Sequence, residues 1–482
     1  MSTGRTTARA ALWAFLAVAG GRVITLIGLA LLARLLAPRE FGLLAFAMVY
    51  ITYAETIGDF GSGMALVHWP DRREDAAQVT FFVNAVAGIA WFLVTLAIAP
   101  WVADFFNAPH GTAIVRTLAL SFIFKYFGNT HDALSTKDLR FRARLIPELS
   151  LAAVKAAISL VLAWFGFGVW NLVWGHLAGS AARTALLWLI VPWRPSWRLP
   201  RDLVKPMLTY GRGILIVNIL SAVTHHADLA VVGRMLGTTA LGLYQMASKV
   251  PEATIVVLLW VVSKVLFPTF SRMHAAGESL RTPYLTASRY VAAVTIPASV
   301  FLFVLARPIL LVFLGKNWLA AAPVLSALAG YAAGRALSTQ AGDVLKATGR
   351  AQLLAQLSIV KAVLIVPALI FGARFGTTGV AAGLAIATGV TTLMTLVAAS
   401  RVLRIRIGPM MGAFAPSIVA GAAMALPLVF WARWSAGQPS IVQLAVGGLA
   451  GCVIYGLVLA LLDRDIFRQA RSHFLPRATR AA

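Results

Sequence analysis

Apolar runs dominate the chain, broken at short intervals by polar, basic connections. A helix that spans a bilayer needs about 20 mainly apolar residues. Runs of that size are predicted over Leu12–Leu32, Phe41–Leu66, Val79–Val102, Ile114–Thr130, Ile146–Phe165 and Val169–Val191. A basic, Pro-rich connection follows, WRPSWRLPRDLVKP. The second half offers Leu208–Val232, Leu241–Val262, Leu285–Ala306, Ala321–Leu345, Leu353–Ala373 and Gly379–Ala399. Two more are predicted at Met411–Trp431 and Ile441–Leu462. The fold class expected is an all-α polytopic membrane protein of about 14 transmembrane helices.

The cations test this layout. With the segments as drawn, 25 of the 42 Lys and Arg fall on one side and 7 on the other. An error in the number of spans would scramble that bias. The rule that cytoplasmic loops are basic therefore predicts an even number of spans with both ends in the cytoplasm. The remaining cations lie inside the apolar segments.

The chain also repeats itself. Arg34-Leu-Leu-Ala-Pro-Arg-Glu-Phe-Gly-Leu-Leu is similar to Arg234-Met-Leu-Gly-Thr-Thr-Ala-Leu-Gly-Leu-Tyr, about 200 residues later. Arg142-Ala-Arg-Leu-Ile-Pro-Glu-Leu-Ser is likewise similar to Arg350-Ala-Gln-Leu-Leu-Ala-Gln-Leu-Ser. The two matches predict an N-terminal six-helix lobe over 1–200 and a second over 201–408. An additional helix pair over 409–462 and a basic cytoplasmic tail over 463–482 complete the chain. Repeats six spans apart share one orientation, so an axis along the membrane normal would relate them, with the substrate site between them.

Composition narrows the class. The chain has 482 residues, 60% of them hydrophobic and only 12% charged. A soluble core could not hide that much apolar surface. The net charge of +25 would suggest nucleic acid in a soluble protein. Here the cations lie in short loops on one predicted side, facing an anionic leaflet, and no nucleic-acid partner is expected. Cys452 is the single cysteine, which excludes an intrachain disulfide and a thiolate metal centre. No cofactor or metal is expected. The basic N-terminus reads as the cytoplasmic flank of a retained first helix.

Charge inside a membrane segment is costly and usually functional. Arg22, Lys125, Lys155, Arg183, Arg335 and Lys361 lie near the middle of predicted segments. Arg116, Arg212 and Arg289 lie near segment ends, where they could snorkel to water. A structural ion pair is one reading of each central cation, and a hydrated cavity that attracts an anion is the other. In the first half the four central cations face only Glu55 and Asp59 as clear intramembrane acids, which favours the cavity. Glu55 and Asp59, four residues apart, share a helix face. They could bind a coupling ion, or neutralise Arg22 on the neighbouring helix, which is the cheaper arrangement. Asp228, among His225, His226 and Arg234, is a candidate for proton relay or for a helix-end polar cluster. Pro251, Pro297, Pro367 and Pro427 are candidate kinks.

Several stretches resemble a known family. ARLLAPREFGLLAFAMVYITYAETIGDFGSGMALV resembles the opening of bacterial polysaccharide flippases of the Wzx type. Ala133–Ser150, His225–Glu252 and Gly342–Ser358 fit the same pattern, in order along nearly the whole chain. The family belongs to the multidrug, oligosaccharidyl-lipid and polysaccharide exporter superfamily. The resemblance implies two six-helix lobes in a V, with two further helices. It implies a protein of the bacterial cytoplasmic membrane, not an enzyme. The cargo implied is an undecaprenyl-pyrophosphate-linked oligosaccharide, moved from the cytoplasmic to the periplasmic leaflet for O-antigen, capsule or exopolysaccharide synthesis. Partners would be that polyprenyl-pyrophosphate-linked glycan, the bilayer, and a polysaccharide polymerase with its export machinery.

The reading is a flippase working by alternating access, with Arg22, Lys125, Lys155, Arg183, Arg335 and Lys361 lining a cationic cavity. A cation-coupled drug exporter on the same fold is the nearest alternative, and it should favour acids and aromatics in its cavity. A membrane enzyme of polysaccharide assembly is the alternative of another class. It would need a large extramembrane loop, whereas the longest connection here is about 20 residues, the length of one span.

Overall fold

The computed structural model describes residues 21, 24–69, 71–138, 141–196 and 198–464. Arg22 lies outside them. The described chain is helical, with no strand. It runs α1 (Ile24–Leu35), α2 (Pro38–Gly58), α3 (Ser62–His68), α4 (Arg73–Phe105), α5 (Gly111–Leu118), α6 (Leu120–Lys137), α7 (Phe141–Trp164) and α8 (Val169–Ile190). There follow α9 (Arg201–Pro251), α10 (Val257–Ala275), α11 (Arg281–Val304), α12 (Ala306–Phe313), α13 (Ala322–Ala347), α14 (Ala351–Ala373), α15 (Gly376–Val402), α16 (Ile407–Trp434) and α17 (Ser440–Leu462). Among the described helices, 8 are long and apolar enough to cross a bilayer on their own composition. Large apolar side chains stand exposed along them, among them Trp164 at 89% and Leu426 at 77%. A water-facing surface would not carry so many, and lipid is their natural contact. The protein is an all-helical polytopic membrane protein.

Several predicted boundaries move, each for a local reason. The run Phe41–Leu66 is two helices, because Phe60 and Gly61 take positive φ values of 46° and 63° and turn the chain. The run Ile114–Thr130 divides into α5 and α6 around Ala119, and α6 continues to Lys137. The run Leu208–Val232 and the first part of Leu241–Val262 belong to one long helical stretch, α9, broken at Gly237 (φ 85°, ψ 176°). Glycine alone adopts that conformation without strain. Pro251 ends α9 and a π-turn over Glu252–Val256 leads into α10. Proline has no N–H for the α-helical ladder, and the wider turn accommodates its loss. Between α11 and α13 the chain adds α12 and a 3-10 turn, Lys316–Ala321, that buries Trp318 completely.

The chain forms two compact units, Met1–Gln245 and Met246–Ala482. In the first, Leu66, Ala77, Phe81, Leu134, Trp193 and Met207 form one core, joining α3, α4, α6 and the start of α9. Phe81 meets Phe127, Trp188 and Trp193 at ring separations of 5.8–6.1 Å. Gly175 and Gly179 let α8 lie directly against the α7 backbone at Lys155 and Leu151. In the second unit, Phe270, Tyr284, Leu396 and Phe414 anchor a core shared by α10, α11, α13, α15 and α16. In the last pair α17 packs on α16 through Gly447 on Trp431, and it joins this unit through Gly451 on Phe301 of α11. Arg289 of α11 pairs with the buried Asp463 at 2.7 Å.

One contact joins the sequence repeats within the first unit. A Cβ on Gly42 would strike the carbonyl oxygen of Thr238, and a Cβ on Gly242 would strike that of Pro38. Pro38 and Thr238 are equivalent positions of the repeated motif, as are Gly42 and Gly242. The contact is therefore reciprocal, with each motif's glycine seated on the other motif's backbone. Reciprocity of this kind is what a local two-fold relation produces.

Candidate functional site

Five polar groups among the described residues contain or surround the predicted site residues. The first lies among α2, α3, α4 and α6. Lys125 donates to Glu55 at 2.8 Å, and the Tyr126 hydroxyl donates to the Glu55 carbonyl at 3.2 Å. Asn129 donates to Asp59 and to Asn84, both at 3.0 Å. Asn84 in turn donates to Ser62 at 3.0 Å and to the Thr80 carbonyl at 2.7 Å. Glu55 and Asp59 both face α6, where their partners among the described residues are Lys125 and Asn129; the Arg22 expected to neutralise them lies outside those residues. These four side chains come to one place because α2 breaks immediately after Asp59, and α3 and α6 close over the break.

The second group joins α6, α7 and α8. Arg183 approaches Glu148 at 3.0 Å and Asp132 at 3.6 Å, and Asp132 also accepts from Arg144 at 2.9 Å. This corrects the expectation that the first half's central cations face only Glu55 and Asp59. Asp132 was read as part of a connection, yet α6 runs on to Lys137 and carries it beside Arg183. A longer reading of that helix was the signal that would have found it. Lys155 forms the third group. It is half-buried on α7 and lies within electrostatic reach of His176 on α8.

The fourth group surrounds Asp228. Tyr244 donates to its carboxylate at 3.0 Å, and the Tyr53 hydroxyl donates to the Ala222 carbonyl at 3.4 Å nearby. The fifth lies in the second unit. Arg335 of α13 donates to the Tyr331 hydroxyl at 3.1 Å, and its guanidinium lies 6.0 Å from the centre of that ring. Arg335 is also the charge that acts on Lys361 of α14. Among the described residues, neither cation has a carboxylate within ion-pair distance. The buried Asp343 of the same unit serves Ser263 and Lys346 instead.

Outside the spans, Arg72 ties the start of α4 to the start of α9 through Asp202, and also pairs with Asp75 at 2.7 Å. The hydrogen bonds from Asp202 and Asp75 hold the Arg72 guanidinium above its ordinary pKa. The same contact with Arg72 holds Asp202 below the usual carboxylate range. Lys137 donates to the Leu66 and Trp69 carbonyls, completing the C-terminal end of α3. Burial, and then the charge of Arg73, push its ammonium below the ordinary lysine value. No group of three or more potential metal ligands occurs among the described residues.

Residues 31–323 match the family described as "Polysaccharide biosynthesis protein". The chain is 26% identical to the succinoglycan biosynthesis transport protein ExoT of Rhizobium meliloti (strain 1021), over 99% of this chain and 97% of that one. It is 25% identical to the lipopolysaccharide biosynthesis protein WzxC of Escherichia coli (strain K12), over 82% of this chain and 81% of that one. In structure it is similar to the lipid II flippase MurJ in an inward closed conformation. The TM-score is 0.79 at 15% identity, over 95% of this chain and all of the other. An inward-facing MATE-family multidrug transporter gives a TM-score of 0.67 at 13% identity, over 80% of this chain and 94% of that one. At such identities these two likenesses establish the fold. With its family matched over more than half its length and relatives matched over 99% and 82% of it, the chain belongs to the polysaccharide biosynthesis family of Wzx-type membrane transporters.

Proposed function

We propose that this transporter moves a polyprenyl-pyrophosphate-linked oligosaccharide from the cytoplasmic to the periplasmic leaflet by alternating access. The observation that carries the reading is the charge arrangement of the second unit. Arg335 on α13 donates to the Tyr331 hydroxyl and Lys361 lies on the membrane-spanning α14, and neither has a carboxylate in ion-pair range among the described residues. Two like charges at depth are costly unless water or an anion compensates them. A pyrophosphate supplies that compensation, and arginine offers its oxygens a planar fork of donors. In the first unit Lys155 and the sequence-predicted Arg22 are the further cations assigned to the anion in this reading. Lys125 and Arg183 enter it already balanced by Glu55 and by Glu148 with Asp132. Glu55 serves charge pairing in this reading, whereas Asp59 and Asp228 accept from the neutral Asn129 and Tyr244. The names of the relatives support the cargo class, since they serve succinoglycan and lipopolysaccharide biosynthesis, and the structural neighbour flips a lipid-linked molecule.

In this reading the repeats 1–200 and 201–408 are the two moving lobes, 409–462 is the added pair, and 463–482 is a cytoplasmic tail. An inside-negative potential would assist outward movement of the anion by about 2.3 kcal/mol per charge per 100 mV. The test is a strain without the protein, in which lipid-linked repeat units should accumulate on the cytoplasmic face. The wild-type chain should clear them. The Arg335→Ala, Lys361→Ala double variant, at normal abundance, should clear them at a rate lower by about tenfold or more. Full clearance by that variant would remove the cationic mechanism, and absence of any accumulation in the deletion strain would remove the cargo.

A further inference from the structure

The start of α9 carries a second cationic feature that none of the predicted site residues includes. Arg201, Lys205 and Arg212 line one groove together with Val204, Leu208 and Thr209, of about 440 Å³. It is an open, shallow depression, and all six of its lining residues stand on α9. The spacing of 201, 205, 208 and 212 brings these residues to one helical face, successive members falling three or four positions apart. All three cations are exposed, and among the described residues none has a carboxylate in ion-pair range. The acid nearest in sequence, Asp202, is held by Arg72. Its charge is thereby spent outside the groove, and the groove keeps the field of three cations.

The helix beneath is held in place. Leu203 and Met207 are part of the first unit's core. Tyr210 stacks on His68 at 4.6 Å, with the rings 4° from parallel. Gly211 lies directly against the Phe60 carbonyl, in a space no side chain could occupy. A cationic patch that only attracts an anionic leaflet needs no such support, because mobile lysines on a loop serve equally well. Here two guanidiniums and an ammonium are carried on a pinned helix beside two aliphatic side chains. That combination fits a phosphate-bearing headgroup together with the first carbons of an attached lipid chain.

We infer that the groove of Arg201, Lys205 and Arg212 is a loading site that captures the pyrophosphate headgroup of a polyprenyl lipid at the membrane surface, ahead of the buried cations. The inference rests on the cargo class proposed above. The charge bias of the loops places this end of α9 at the cytoplasmic face, where such a lipid would arrive. Phosphate chemistry could also come from an anionic phospholipid, and the experiment separates the two.

The full-length protein is placed in phosphatidylcholine nanodiscs doped either with undecaprenyl pyrophosphate or with phosphatidylglycerol, and lipid retained on the protein is measured by native mass spectrometry. The Arg201→Ala, Lys205→Ala, Arg212→Ala variant should retain undecaprenyl pyrophosphate less by about tenfold or more. Its retention of phosphatidylglycerol should change by less than about twofold. Arg201→Lys with Arg212→Lys should recover part of the loss, since charge is kept and the fork is not. A charge-matched control, Lys264→Ala, Arg272→Ala, Arg401→Ala, removes exposed cations of the second unit and should behave as wild type. Equal retention of undecaprenyl pyrophosphate by wild type and the α9 variant would overturn the loading site and leave the proposed function standing. Loss of phosphatidylglycerol alone would overturn it in favour of a leaflet anchor. No retention of the pyrophosphate lipid by the wild-type protein would overturn both proposals.

Discussion

At the scale of single residues, the energetics turn on which charges have partners. Glu55 and Lys125 are a half-buried pair, so removing one leaves the other uncompensated in a low-dielectric setting. Glu55→Gln or Lys125→Met alone should cost about 1–3 kcal/mol, the typical cost of orphaning a hydrogen-bonded partner. The double variant should recover much of that loss, and thermal unfolding of the detergent-purified protein would measure it. If the double variant is as damaged as the sum of the singles, the pair contributes no coupling. Asp202 gives a pH expectation. Its folded pKa is depressed by Arg72, so its contribution is present above the ordinary carboxylate value and is lost as pH falls through the lower folded value. Acidification below the usual carboxylate range should therefore loosen the tie between α4 and α9. Hydrogen exchange at the first turn of α9, followed from neutral to acid pH, should rise in wild type. In Asp202→Asn it should already be raised at neutral pH. The residues that carry chemistry were legible as types, because a lysine or arginine within an apolar run stands out. Their partners were not, since Asp132 and Glu148 reach Arg183 from two other helices.

At the scale of elements, the helices follow from apolar runs, while their breaks follow from backbone chemistry that hydropathy does not report. Gly237 and the Phe60–Gly61 turn lie inside or beside apolar sequence. The same holds for the π-turn after Pro251. The reciprocal contact of Gly42 and Gly242 is another case. Gly42→Ala or Gly242→Ala would place a methyl group on a carbonyl oxygen, and overpacking of this kind costs about 1–3 kcal/mol. Each should lower transport or abundance measurably. Gly448→Ala, with open space around it, should leave both unchanged. Equal behaviour of all three variants in a quantified membrane fraction would show that the two motifs do not press on each other in the native protein. The repeat was visible in sequence as a 200-residue offset. That its equivalent glycines seat on one another became visible only once the two segments were placed in space.

At the scale of the whole molecule, the basic loops set the expected topology. Reporter fusions after Arg142 and Arg404 should read as cytoplasmic, and fusions after Asn107 and Gly437 as periplasmic. A periplasmic reading for the C-terminal tail would refute the arrangement with both ends inside. The physical driver is the cost of moving short basic loops across the membrane, which is felt during insertion and needs no tertiary contact. The family is also expressed at this scale, because a relative at 26% identity aligns along 99% of the chain.

The sequence by itself determined that this protein is a bundle of membrane helices and which family the chain resembles. Those properties depend on the transfer of each segment from water to hydrocarbon, a nearly local quantity summed over about 20 residues. The tertiary structure alone decided which buried charges are spent on one another. Lys125 and Arg183 have acidic partners 2.8 and 3.0 Å away, whereas Arg335 donates to Tyr331 and, among the described residues, neither it nor Lys361 has a carboxylate in ion-pair range. It also decided that Arg201, Lys205 and Arg212 share a groove from which Asp202 is withdrawn. Electrostatic energy depends on distances between side chains that lie far apart in sequence, and those distances exist only after the helices have packed.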